Sequence, residues 1–571
     1  MNKIKILYLG FFAALVMFST SCKKDLEVGN PNSPTLGGNV TEEGGLTKLA
    51  QGGIYLNGLS YGDGWLGDSY FSLPRGYHEE MGDIIGGGEG SNNQITTIPS
   101  PEWIKLNGSA STAANTLTNP SPNPAIIRAF NSRAATAQGN NALMYEWMNM
   151  YAMQQACNNV IALADKVTYS GDKATKIATI KAWSYFWKGW AYAQIGTMYI
   201  AGIITDTAGQ TSNNYVSHDA IITRSNFYYD LAATTLGSAS NTSDYTATLG
   251  KLIPASSQVG NGQLMTKDMW VRNINTLKAR NILLNKMSTF VNGVAGVAIS
   301  KNAFTGVMTT ADWNTVLTLT ANGVKSSDYV LTGRTSDVNS WFGIGGGTAS
   351  ALATNKASSG TFKISERFVQ EFADGDKRKA SNFKTGYQFT QGLSFGTRWS
   401  LNPAWQTTDL PGGGTIAGVY SYGTKNVGQY ELIIAASYEE NAMMQAEANI
   451  QLGNIATGLG FIDAVRTYQG AGLAAATAQT KTDALTLLTK ERRVALAFRG
   501  LSFYDARRWG WTYPVSNGGG RYGCTVFDVK EVVWTNAIFN YNYMDYWDVP
   551  GDEFELNAPS AASAPIKNPN F

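Results

Sequence analysis

Hydrophobic positions along the chain recur at spacings of three and four in some stretches and lose that period in others, which divides it into helical and irregular blocks. The clearest helical pair falls within residues 141–200, with one helix over 143–167 and a second over 174–199. In the second, Ile180, Trp183, Trp187, Trp190, Ala191, Ile195 and Met198 form one apolar stripe. Lys181, Ser184 and Lys188 mark the expected wet side, and rings at this spacing read as core. Further helices are expected near 46–59, 123–135, 225–236, 267–287, 311–320 and 365–372. Ser437-Tyr438-Glu439-Glu440 has the capping-box pattern and opens a helix that runs through Leu452. Gly453-Asn454 closes it, and a partner helix follows over 456–468. Ala442 and Ala446 are small enough to let that partner approach closely.

Residues 23–140 and 291–430 are rich in Gly, Asn, Ser and Thr, carry little period, and read as loop-rich. Antiparallel helix pairs on short turns are the pattern of a tetratricopeptide-like scaffold, although no clean 34-residue repeat is present. The fold expected is therefore mostly α: helix pairs at about 141–290 and 430–510, with an irregular loop-rich region carrying the ligand surface.

The densest chemistry lies at residues 489–510, TKERRVALAFRGLSFYDARRWG. Thr482 is the expected N-cap, with Asp483 in the first turn, where the helix dipole favours negative charge. Leu487, Leu488, Val494, Ala495 and Phe498 give an apolar stripe, Gly500 can close the helix in the left-handed conformation, and 501–508 reads as a second short helix. Glu491, Arg492, Arg493, Arg499, Asp505, Arg507 and Arg508 alternate with Phe503, Tyr504 and Trp509. Guanidinium groups pair carboxylates bidentately and stack on rings, so this block reads as a packed, charge-paired corner. Asp505 is expected to pair among Arg492, Arg507 and Arg508.

At the other end, Lys3 and Lys5 precede an apolar run over residues 6–18, followed by Ser19, Thr20, Ser21 and Cys22. This is the layout of a secretory signal peptide over residues 1–21, and the run is shorter than the roughly 20 residues a spanning helix needs. The full chain carries 44 basic and 42 acidic residues; both lysines of the signal lost, the mature chain over 22–571 is neutral. A neutral chain offers no basic footprint for nucleic acid. After Cys22 only Cys157 and Cys524 remain, and nothing forces them to pair.

Taken together, Glu491, Arg492, Arg493, Leu496, Ala497, Phe498, Gly500, Asp505, Arg507, Arg508 and Trp509 resemble the C-terminal signature of the SusD/RagB family. Ala495, Arg499 and Ser502 depart from it. Two more segments resemble that family: SYEENAMMQAEANIQLGN, with Glu447 and Gly453 in register, and SERFVQEFADGDKRK, with Asp376 and Arg378 in the D-x-R positions. Cys22 looks like the lipid-acceptor cysteine of a bacterial lipoprotein, and Lys23, Lys24, Asp25 and Glu27 resemble a surface-export tag. The resemblance implies a single binding domain over 22–571, lipid-anchored at the cell outer membrane and facing outward. It also implies capture of a poly- or oligosaccharide and its delivery to a SusC-like TonB-dependent transporter. Capture of peptides is a variant within the same family.

Catalytic chemistry is thin. His78 and His218 are the only histidines, so zinc sites and histidine-dependent triads have little to build on. Gly86–Gly88 and Gly343–Gly347 lack the Lys-Ser/Thr of a phosphate loop and read as flexible turns. Asp374-Gly375-Asp376 reads as a turn rather than a calcium loop. Glu79, Glu80 and Asp83 are the one carboxylate cluster that could serve a polysaccharide hydrolase, but adjacent glutamates on a helix point apart. No catalytic residue, metal or cofactor is therefore expected. What the irregular blocks do hold is aromatic: Tyr61, Trp65, Tyr70, Phe71, Tyr77, Trp103, Trp341, Phe342, Trp399 and Trp405. Rings beside Gly, Asn, Asp and Ser suit a sugar, whose face stacks and whose rim hydrogen-bonds. Trp65, Trp103, Trp341 and Trp399, on the loops of 60–105 and 335–410, are the expected platforms.

Overall fold

The structure, a computed structural model, describes residues 40–56, 76–88, 101–108, 116–118, 131, 142–286, 308–334, 362–389, 394–402, 416–419, 431–543 and 545–568. Its helices are α1 (Glu43–Ala50), α2 (Gly76–Met81), α3 (Ala142–Ala164), α4 (Lys173–Met198), α5 (His218–Gly237), α6 (Thr242–Leu252), α7 (Lys267–Asn285) and α8 (Thr310–Ala321). They continue with α9 (Glu366–Val369), α10 (Lys377–Asn382), α11 (Tyr438–Gln451), α12 (Ile455–Tyr468), α13 (Lys481–Ala495), α14 (Ser502–Arg508) and α15 (Gly551–Leu556). A π-helical turn, Gln51–Leu56, prolongs α1. The chain is mostly α, with a tetratricopeptide-like helical fold.

The core is densest around α4. Asp172 caps its N-terminus, accepting from the amides of Ala174 and Thr175. Trp183, Trp187 and Trp190 are fully buried, and their rings meet edge to face at 5.6 and 5.5 Å. Gly189 lets α5 come close: a Cβ there would stand 2.7 Å from the Tyr229 ring.

The expected wet side of α4 does not exist. Ser184 and Lys188 are buried, and only Lys181 reaches outward, to Asp165 at 2.6 Å. Because α4 packs against α3, α5 and α6 together, it has no free face. Lys188 keeps its charge inside by donating to Asn158 Oδ1 at 2.5 Å and to Thr205 O and Asp206 Oδ1 at 3.3 Å.

Helix starts differ from expectation in informative ways. α13 begins at Lys481 because Thr480 and Asp483 form a complete capping box, so the cap is Thr480 and not Thr482. Ser437 does accept from the Glu440 amide, but Glu440 turns its carboxylate to Arg280 Nε at 2.6 Å instead of back to the cap. α5 starts seven residues earlier than its apolar period, at the Ser217 cap, and α6, capped by Asn241, was not anticipated. α11 and α12 do pack closely, and a Cβ on Gly458 would lie 2.8 Å from Ala446 O.

The blocks read as irregular supply four strands of a six-stranded sheet, and the stretch after the arginine-rich block supplies the other two. Its strands are β1 (Trp103–Lys105), β2 (Thr116–Thr118), β3 (Phe383–Phe389), β4 (Phe395–Leu401), β5 (Arg521–Asp528) and β6 (Val533–Asn540). They pair antiparallel in the order β2-β1-β6-β5-β4-β3. Three-residue strands drawn from distant segments leave no readable period, and bulges in β3/β4 and β5/β6 break the alternation of the longer ones.

The arginine-rich block folds as the expected corner, with α2 docked on it. Asp505 accepts from Arg492 at 2.8 Å and Arg508 at 2.7 Å, and Arg508 also grips Glu447. Arg507 is not among its partners; it donates instead to three carbonyls, Thr197, Asp545 and Leu284. Between α13 and α14, Phe498 and Gly500 both adopt positive φ, 62° and 72°. That turn presents the amides of Phe498 and Gly500 to the Glu79 carboxylate, at 3.2 and 2.6 Å.

Candidate ligand-binding surface

The carboxylate cluster is part of the interior. Glu79, Glu80 and Asp83 are all buried. Asp83, in the left-handed conformation just past α2, accepts from Arg367 at 2.6 and 2.7 Å, from Ser365 and from Arg521. Burial alone would raise its pKa, but the Arg367 charge and hydrogen bonds, with Arg521 and Arg493, hold it down at about 2. Glu80 is the opposite case: neither of its oxygens has a hydrogen-bond partner, and burial pushes its carboxyl well above the usual range. His78 is enclosed between Glu146 and Tyr504 at 3.2 Å, and His218 stacks on Tyr546. No open pair of carboxylates faces a groove here, so these residues serve packing and not glycosidic hydrolysis. Cys157 and Cys524 are buried free thiols, and no group of His, Cys, Asp and Glu suited to a metal occurs among the described residues.

Of the expected platforms, Trp65 and Trp341 lie outside the described residues, as does Cys22. Trp103 and Trp399 are described, and both sit on strands of the one sheet rather than on loops. Trp103, on β1, lies opposite Asn540 of β6; Trp399, on β4, lies opposite Thr385 of β3. β6 and β5 separate their strands. Both indoles are half-buried, and each lies beneath a lysine. Lys105 Nζ is 5.4 Å from the Trp103 ring, and Lys379 Nζ is 4.8 Å from that of Trp399.

Lys379 is held there by the short helix α10. Asp376 caps it, accepting from the Arg378 amide at 2.9 Å, while Arg378 reaches Glu491 of the charged corner at 2.7 Å. Asn382 closes the helix with a 2.7 Å bond to Gly418 O and accepts the Asn402 amide at 2.7 Å. Gly418 lies against Gln469, where a Cβ would stand 2.9 Å from the Gln469 carbonyl. Segments 377–382, 399–402, 416–419 and 468–469 thus meet in one rim beside Trp399, built on the corner.

Sequence reading passed over several rings near this rim. Tyr468 is exposed and meets Tyr438 edge to face at 5.0 Å. Tyr387, 57% exposed, lies over Phe527 at 5.0 Å. Phe389 stacks on the same ring at 5.3 Å, across Gly396, which pairs with both and has no side chain to keep them apart. Only Tyr387 and Phe389 stand two residues apart; Thr385 and the bulge after it interrupt the alternation from Phe383, which is why β3 was not legible.

Residues 298–558 match the model of the SusD family. Over that span the chain belongs to the SusD family. This SusD-family stretch takes in the rim beside Trp399, the charged corner and strands β3 to β6. Among solved structures the whole chain is similar to a SusD-like carbohydrate-binding protein from Bacteroides vulgatus, with 14% identity, 93% of this chain and 97% of that one covered, and a TM-score of 0.51. A SusD-like carbohydrate-binding protein from Bacteroides fragilis gives 12% identity, 90% and 96% coverage and a TM-score of 0.51. At these identities what is shared is the SusD-like fold. No curated protein sequence matches the chain.

Proposed function

We propose that this SusD-family chain is a cell-surface glycan-binding lipoprotein. In this reading Cys22 carries the lipid anchor at the outer membrane. The protein captures a poly- or oligosaccharide and passes it to a SusC-like TonB-dependent transporter. The observation that carries the reading is the half-buried Trp399 with Lys379 Nζ 4.8 Å from its ring, within the span that matches the family. An indole with a hydrogen-bond donor beside it is what a pyranose needs, since one ring face stacks while hydroxyls bond outward. The two solved proteins named above are described as carbohydrate-binding, which supports the same class. Burial of Glu79, Glu80 and Asp83 speaks against the hydrolase alternative.

The test incubates the purified mature protein with a polysaccharide panel. Retention on the polysaccharide without new reducing ends is expected; release of sugars would make the protein a hydrolase, and no retention on any glycan would sink the reading. Cys22→Ser should leave the protein unattached to membranes, because the acyl chains that bury methylenes would be missing. A mutant that still fractionates with membranes in cells lacking the transporter would remove the anchor from Cys22.

A further inference from the structure

Trp103 and Trp399 each carry an ammonium over the ring, and the surroundings of Lys379 make that arrangement specific. Among the described residues its ammonium has no carboxylate partner. Neither have Lys377 and Lys384, both exposed, which lie on the same α10–β3 segment. Lys384, opposite Ser400 and one residue from the Thr385–Trp399 pair, points to the other face of the sheet, so Lys379 and Lys377 of α10 are the cations on the Trp399 side. The segment's acids are otherwise engaged: Glu366 with Arg398, Glu371 with Arg493 and Arg521, and Asp376 with Arg378. Asp374 alone is exposed and unpaired there. Among the described residues the rim beside Trp399 therefore carries the uncompensated charge of Lys379, with Lys377 on the same short helix, on a protein whose mature chain is neutral overall.

A neutral sugar stacking on Trp399 must compete with Lys379 for the ring and gains nothing from the charge. A sugar bearing a carboxylate or a sulfate can pair with that ammonium while its apolar face lies on the indole, and charge-assisted hydrogen bonds are the stronger ones. We propose that the glycan taken by this surface is anionic, a uronate- or sulfate-bearing polysaccharide, with Lys379 as its charge anchor beside Trp399. The inference rests on the glycan-binding reading above and narrows it to a chemical class.

Homogalacturonan offers one backbone in two charge states, de-esterified and fully methyl-esterified. Binding of the mature protein to both is measured by calorimetry, beside dextran sulfate as the sulfated arm and laminarin and starch as neutral arms. Tight binding to the acidic polymers is expected, weakening as salt screens the ammonium charge, with little binding of the esterified or neutral ones. Comparing de-esterified homogalacturonan with dextran sulfate, which carries sulfate and no uronate, tells uronate from sulfate. Lys379→Ala should weaken the acidic ligand about fivefold, the scale of one partly exposed ion pair. Its melting temperature should not change, and Lys379→Arg should restore most of the affinity. Equal, salt-independent binding of neutral and acidic polymers would overturn the anionic class and leave glycan capture standing. Binding of none of them would overturn both.

Discussion

Two interiors hold this molecule, and they are made of opposite materials. Around α4 the interior is rings: Trp183, Phe186, Trp187, Trp190 and Trp270 meet edge to face, with an indole nitrogen of Trp183, Trp187 and Trp270 left without a partner. Between α2, α13 and β5 it is ions: Arg367, Arg493 and Arg521 converge on Asp83 and Glu371, and Arg492 and Arg508 on Asp505. Burying rings removes apolar area from water and does so whatever the pH. Burying ions costs desolvation that only a complete set of partners offsets. The first interior should therefore tolerate losses in proportion to size, and the second should fail when any one member goes.

The sharpest way to break this contrast is Asp83→Ala. It leaves Arg367 and Arg521 buried without their shared carboxylate, and removal of one partner of a buried pair costs roughly 3–5 kcal/mol. We expect a loss at or above the top of that range by chemical denaturation, and a variant as stable as the parent would refute the ionic account. Trp187→Ala should cost about 3–5 kcal/mol by cavity formation. The two differ with pH. Asp83 has a folded pKa of about 2 against an ordinary 3.8, so its contribution is full above 3.8 and fades as pH falls through about 2. The destabilisation by Asp83→Ala should shrink in acid, while that by Trp187→Ala should stay level; parallel profiles for both would contradict the distinction.

Trp399→Ala tests the border between the ionic interior and the outer rim. The ring is half-buried and packs in part on the core, so a cost of about 1–2 kcal/mol is expected, below the 3–5 of a fully enclosed ring. Ligand binding should fall alongside, and normal binding would move the platform elsewhere. The smallest effect is expected at Glu80. Its folded pKa is raised, so the folded state holds the proton more tightly, and the benefit present below 4.5 is lost as pH climbs. Glu80→Gln cannot ionise, and at pH 8 it should be more stable than the parent by of order 1 kcal/mol, with no gain near pH 4. A gain that is the same at both values would mean that ionisation of Glu80 is not the cause.

The same division explains what could be read beforehand. The ring interior is periodic, and Trp183, Trp187 and Trp190 announce it at spacings of four and three; α3, α4, α7, α8, α11 and α12 all appear within a few residues of their expected bounds. Lys188 misleads because a period cannot tell a wet face from one buried against a third helix, with Asn158 and Asp206 waiting for the charge. The ionic interior is legible as composition but not as partnership. Arg507 looks like a partner for Asp505 and binds carbonyls, and nothing at Asp83 foretells Arg367 and Arg521, 284 and 438 residues away. The sheet that carries Trp103 and Trp399 was hidden for a related reason, since β1 has three residues and takes its register from Ile538, Phe539 and Asn540. Lys379 stood unremarked beside the recognised Asp376 and Arg378, and only the fold sets it over an indole.

The docking of α2 on the turn at Phe498–Gly500 has a consequence in time as well as in space. Glu79 finds its amide donors 419 and 421 residues further along the chain. Contacts of such separation close only after the intervening chain is available and largely ordered, which makes them slow and late. Until residues 498–521 have arrived, the carboxylates of Glu79 and Asp83 have no counterparts and α2 has no seat. The helix pairs can form from local contacts while the chain is still incomplete, whereas the ionic interior, with the α10 rim tied to it through Arg378 and Glu491, is completed last.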